Sequence, residues 1–146
     1  MIVNLSSDDA KQVMRYLSKY RTALSNIESL AEERSRLESV ITSLSSGISG
    51  GGSGGGATDK IGAVVARLVD LTEKIDDDVA SYEGVRREVR RVIGRVSDSN
   101  PIFGQDLHYR YIDGRSAFAT ANDMGFSSRQ ERRVHAAALS VAFKYL

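Results

Sequence analysis

Apolar residues recur at spacings of mostly three and four along two long stretches of this chain. From about Ser7 to Leu44 they fall at Val13, Leu17, Tyr20, Leu24, Ile27, Leu30, Leu37, Ile41 and Leu44, with Arg34 filling the one gap. The spacing predicts a long helix with a single apolar seam. Ser6 or Ser7, followed by Asp8 and Asp9, supplies an N-cap and acids that suit the positive end of the helix dipole. From about Thr58 to Val96 a second seam runs through Ile61, Val65, Leu68, Ile75, Val79, Tyr82, Val89, Ile93 and Val96, broken by Thr72 and Arg86, with Thr58 as the expected cap. Gly62, Gly84 and Gly94 weaken this helix by up to about 1 kcal/mol each relative to alanine, so packing has to offset them.

Between the two seams lies a glycine- and serine-rich stretch over residues 46–57, which holds seven of the thirteen glycines between Gly47 and Gly56. A flexible coil of that length spans roughly 20 Å, enough to join two helices packed about 8–10 Å apart. The economical arrangement is a long, coiled-coil-like antiparallel helical hairpin over residues 1–97. A lone pair of helices buries little apolar surface, so two or more copies are expected to associate through it.

A third pattern fills residues 98–146. Asn100 and Pro101, the chain's one proline, end the long helix and start another. Ile102, Phe103, Leu107 and Tyr111 fit one face of that helix, and Asp113-Gly114 ends it. Ser116 caps a short helix through Met124, which Gly125 stops. Ser128 begins a last helix, Glu131 completes a capping box, and Val134, Ala138, Val141 and Tyr145 form its apolar stripe. The expected fold is therefore all-α, a long antiparallel hairpin followed by a C-terminal helix-turn-helix domain over residues 98–146. Gly125 permits the tight turn, Phe126 plugs the angle between the helices, and Ala121 lets them approach. Ser127, Ser128, Arg129, Gln130, Arg132 and Arg133 then stand on the first turns of the second helix, with Arg115 beside them. Those residue types offer donors to phosphates and base edges, Arg suiting guanine and Gln suiting adenine.

Charge changes this picture only locally. The net charge is +1, but residues 101–146 carry six bases against four acids. A basic excess at the C-terminal end permits a polyanionic partner. Arg86, Arg87, Arg90, Arg91 and Arg95 form a further basic stretch. A solvated helix face paired with Glu32, Glu33, Glu38 and Glu88 accounts for them better than phosphate contacts do.

Several other chemistries find no support. Cysteine is absent, which removes disulfides and thiolate metal sites and fits a reducing compartment. The stretch Gly50–Gly56 contains glycine-motif spacings by low complexity alone, without the preceding strand that a phosphate loop needs. Asp76, Asp77 and Asp78 are followed by Ala80 and Ser81, which breaks calcium-loop spacing. His108 and His135 stand without a cysteine or carboxylate pattern, so neither a metal nor a catalytic constellation is expected, and no cofactor. No enzyme activity is expected. The first ten residues lack a basic region followed by an apolar core, and no membrane span or signal peptide is expected.

Residues 114–127, GRSAFATANDMGFS, resemble the Gly-Lys-Thr-Trp-Glu-Glu-Ile-Ala-Glu-Glu-Leu-Gly-Tyr-Ser of sigma-factor-region-four-like modules. The likeness continues through Arg129-Gln130, Arg133-Val134-His135 and Ala138-Leu139, and upstream through HYRYIDG at 108–114. DKIG at 59–62 and LVDLTEKI at 68–75 resemble the hairpin of phage late-transcription regulators of the RinA/ArpU kind. The resemblance spans roughly residues 15–146. It implies a DNA-binding activator of late phage genes in the bacterial cytoplasm, with double-stranded DNA, further copies of itself and host RNA polymerase as partners. Small terminase subunits of DNA packaging combine the same two architectural parts and are one alternative; an RNA-polymerase-binding adaptor is the other, because sigma-region-four modules can bind polymerase itself. The chain departs from the pattern at five positions. Ala117 replaces an aromatic residue, Phe118 and Ala119 replace acids, Thr120 replaces a large aliphatic residue, and Glu131 stands where valine is usual. Phe118 is expected to fill the space that Ala117 leaves.

Overall fold

The computed structural model describes residues 5–48 and 55–146. Among them there is helix and no strand. Helix α1 runs Ser7–Ile48 and α2 runs Gly55–Ser99. Short α3 (Pro101–Leu107) passes directly into a π-helical turn, His108–Ile112. Helices α4 (Ala117–Met124) and α5 (Ser128–Phe143) follow. No described helix is long and apolar enough to cross a membrane.

The long helices outrun their expected ends. The glycine-rich connection expected over 46–57 narrows, because α1 reaches Ile48 and α2 already begins at Gly55; residues 49–54 lie outside the described residues. Thr58 consequently falls inside α2 and does not cap it. The start of α1 is capped as its sequence suggests, with Ser6 Oγ accepting from the Asp9 amide at 3.1 Å.

Along α1 the expected seam positions are the buried or half-buried ones. Along α2 half of the seam moves by one residue. Ile61, Leu68, Ile75, Tyr82, Val89 and Val96 stay inside, but their partners are Val64, Leu71, Asp78, Val85 and Val92, while Val65 and Val79 are exposed. Both registers fit a heptad. The observed one carries apolar Leu71 and Val85 where the other offers Thr72 and Arg86, so it buries more apolar area. Its one acid, Asp78, pairs with Lys74 at 3.6 Å.

The chain divides into two compact units: residues 1–23 with 82–146, and residues 24–81. In the smaller unit Leu71 and Ile75 are buried, and Arg67 pairs with Glu33 at 2.8 Å. In the larger unit the base of α1 and the end of α2 run antiparallel. Tyr20 meets Tyr82, hydroxyl to hydroxyl at 3.2 Å, while Tyr16, one turn earlier, reaches Glu88 on the later turn. Val13, Leu17 and Tyr20 form one core with Val89, Val92, Ile93, Val96, Leu107, Tyr111, Ile112, Ala138, Leu139 and Ala142. The N-terminal turns of α1 are therefore part of the core that holds α5.

Asn100 ends α2 and caps α3, its side chain accepting from the amides of Ile102 and Phe103, with Pro101 at the first helical position. Ile102, expected on the buried face, is 46% exposed; the buried residues are Gly104, Asp106, Leu107, Tyr111 and Ile112. Ile102 stands on the first turn of α3, whereas the π turn acts at its far end. The wider ring of that turn closes with the Asp113 amide on the His108 carbonyl at 3.0 Å, and the extra residue turns both Tyr111 and Ile112 inward.

Candidate nucleic-acid interface

Helix α4 is held at its start by Ser116, whose hydroxyl oxygen accepts from the Ala119 amide at 3.1 Å. It ends on Gly125, in the left-handed region at φ +72°. The Phe126 amide donates to the Ala121 carbonyl at 2.8 Å, and the Gly125 amide donates to Asn122 at 3.2 Å. These two bonds satisfy the last carbonyls of α4 and turn the chain within three residues. Thr120, a departure from the aliphatic residue of the resembled modules, is buried. Its hydroxyl donates to the Ser116 carbonyl at 2.8 Å, which removes the cost of a buried unsatisfied group.

Helix α5 begins at Ser128 as expected, but its cap is Ser127. Ser127 Oγ accepts from the Gln130 amide at 3.1 Å, and Gln130 Oε1 accepts from the Ser127 amide at 2.9 Å. The capping box is thus Ser127 with Gln130, not Ser128 with Glu131. Ser127 and Gln130 hold the helix start, and the Gln130 carbonyl oxygen is already engaged. That leaves the exposed side chains of Ser128, Arg129, Arg132 and Arg133 facing outward. Arg129, Arg132 and Arg133 lie three and four residues apart, so they share one face. Among the described residues none of the three has an ion-pair or hydrogen-bond partner. Arg115 is different: it pairs with Asp123 and stacks over the Tyr109 ring at 4.6 Å.

The buried side of α5 is broader than its expected stripe. Glu131, His135, Ala138, Leu139 and Ala142 form it, with Val134, Val141 and Tyr145 half-buried at the margin. Glu131 does not contribute to the cap. It is 2% exposed and accepts from Arg110 Nη1 at 2.8 Å. Burial raises its pKa first, and contact with the Asp106 carboxylate raises it further, while Arg110 opposes both. Next to it, His135 Nδ1 lies 2.8 Å from Asp106 Oδ2, and Nε2 lies 3.1 Å from the Tyr111 hydroxyl. A carboxylate at Nδ1 favours the tautomer with the proton there, which leaves Nε2 to accept from Tyr111. Burial pushes the Tyr111 hydroxyl up to about 12, so it remains a donor.

Phe118 is not packed into the space beside Ala117; it is 70% exposed. A cavity of about 350 Å³ remains there, lined by Ala117, Phe118, Arg110, Ser128, Arg132 and the inner pair Glu131 and His135. Of the other basic stretch, Arg91 pairs with Glu88 at 3.2 Å and Arg86 with Glu83 at 3.7 Å. Glu33 and Glu38 are taken by Arg67 and Arg34 instead.

The Asp106–His135–Tyr111 chain had only a faint sequence signal. Glu131 and His135 stand four residues apart, one turn along a helix, but nothing near Asp106 in sequence announces a partner on another element. Comparison with protein-family models, with curated proteins and with solved structures finds no match for this chain.

Proposed function

We propose that this chain is a phage-encoded DNA-binding transcription regulator whose α4–turn–α5 segment is a helix-turn-helix. In this reading α5 enters the major groove and the long helices bring copies together on spaced half-sites. The observation that carries the reading is the outer face of α5. Three arginines without protein partners stand on its first two turns, and the one acid there, Glu131, is turned inward. Unpaired arginines on a rigid helix start suit bidentate contact with phosphate or guanine. Ser128 adds a hydroxyl donor, and Arg115, next to the α4 cap, suits a flanking phosphate. The resemblance of residues 59–62 and 68–75 to phage late-transcription regulators is what suggests a late-gene activator and a bacterial cytoplasmic setting.

The test is fluorescence anisotropy on fragments of the host phage genome, each across a salt series. One fragment should bind far more tightly than the rest, with affinity falling steeply as salt rises. Arg129→Ala with Arg133→Ala should weaken binding by about one to two orders of magnitude, roughly 1.4 kcal/mol per tenfold, at unchanged helicity. Unchanged affinity in that variant would remove α5 as the reading helix.

Phe118 favours a second reading. An exposed aromatic ring on the first helix of such a module suits a protein partner, and region-four-like modules also bind RNA polymerase. Weak, uniform DNA binding combined with polymerase capture that Phe118→Ser abolishes would favour this adaptor role.

A further inference from the structure

The buried cluster beneath α5 has more negative charge than its partners explain. Asp106 is completely buried, and Glu131 nearly so. An oxygen of each carboxylate lies within 4.8 Å of the other. Arg110 answers Glu131 through Oε1, and His135 answers Asp106 through Oδ2. Asp106 Oδ1 has no hydrogen-bond partner among the described residues. Two buried carboxylates this close are costly unless a cation or a proton lies between them.

We propose that Asp106, Glu131 and His135 bind a divalent transition-metal ion of the zinc class, joining α3 to α5 beneath the arginine face. One ligand atom from each residue lies within 4.8 Å of the other two, so the three are close enough to share one ion, which replaces the hydrogen bond at the His135 nitrogen that ligates it. Bonds of about 2.0–2.2 Å to such an ion place neighbouring ligand atoms roughly 3.3–3.5 Å apart, so side-chain adjustments suffice. Glu131 and His135, one helical turn apart, offer their ligands from a single face of α5. Two carboxylate oxygens and an imidazole nitrogen suit zinc, cobalt, manganese or iron better than the all-oxygen preference of calcium. Arg110 occupies one Glu131 oxygen and leaves the other for the ion. Three protein ligands leave a fourth position open, and the cavity lined by Glu131 and His135 has room for a water there. The orphaned Asp106 oxygen then acquires a partner. The inference does not depend on what α5 reads, and its test involves no DNA.

The full chain, stripped with chelator and dialysed, is titrated with Zn²⁺, Co²⁺ and Mn²⁺ and followed by calorimetry, by the visible spectrum of the Co²⁺ form and by thermal melting. One equivalent of Zn²⁺ or Co²⁺ should bind and raise the melting temperature. Asp106→Asn and Glu131→Gln should each weaken binding about 100-fold. His108→Ala, which alters the other histidine, should leave it unchanged. In the wild-type protein the imidazole resonances of His135 should shift on Zn²⁺ addition while those of His108 stay put, which tests the site even if a variant fails to fold. No saturable binding of any of the three ions, a shift confined to His108, or binding that survives both carboxylate variants would each overturn the proposal.

Discussion

An added methyl at Gly104 would sit 2.5 Å from Ser97 Cβ and 2.6 Å from Ser97 Cα. Backbone cannot yield that distance without separating α3 from α2, and α3 carries Asp106 and Leu107 into the core. Gly104→Ala should therefore cost roughly 1–3 kcal/mol, seen as a lower urea midpoint at an unchanged slope. Gly125 differs in kind. An added methyl meets nothing within 4 Å, and only its positive φ demands glycine. That difference governs what could be read in advance. A glycine closing a short helix before a serine cap is a local signal, and Gly125 was legible from its neighbours in sequence. Gly104 answers to a residue on another helix, so no local pattern reveals it. Glu131 shows the same division. Its spacing from Ser128 fits a capping box, but a half-buried arginine on another element decides where it points.

At the level of elements, the start of α5 depends on reciprocal bonds between Ser127 and Gln130. Ser127→Ala removes the acceptor for the Gln130 amide and should destabilise the protein by about 1 kcal/mol, with faster amide exchange confined to the first turn of α5. Ser128→Ala, which alters the cap expected from sequence, should leave stability within about 0.5 kcal/mol. The sequence pointed to Ser128 with Glu131, but the backbone geometry places the cap on Ser127 with Gln130. The register of α2 was ambiguous in the sequence. Val64 and Val65 adjoin, as do Val92 and Ile93, so either stripe satisfies a heptad count over part of the helix. Leu71 separates them, because only one register buries it.

At the level of the whole molecule, the rejected half of that register leaves Val65 and Val79 exposed in the 24–81 unit, together with Val69 and Val40. Val65 and Val69 stand one turn apart on the same face of α2. Exposed aliphatic residues along a long helix suit burial against a second copy. We expect light scattering at micromolar concentration to give a multiple of the chain mass. Val65→Asp with Val69→Asp should shift that mass toward the monomer while helicity persists. A dimer or tetramer fits a regulator spanning paired half-sites; a large closed ring fits the packaging alternative. A monomeric wild-type protein would exclude association through this face.

The sequence by itself determined that the chain is helical, roughly where its helices and turns fall, and that the last helix starts with a cluster of arginines. Each of these follows from spacing, caps and glycines within a few residues of one another, because helices are made of local hydrogen bonds. Only the tertiary structure decided the rest: the α2 register, the union of the first turns of α1 with the C-terminal helices, and the exposure of Phe118. It also decided the meeting of Asp106, Glu131 and His135. These depend on side chains far apart in sequence competing for the same buried volume and for each other's charge. Burial and desolvation are properties of the packed molecule, and no spacing along the chain encodes them.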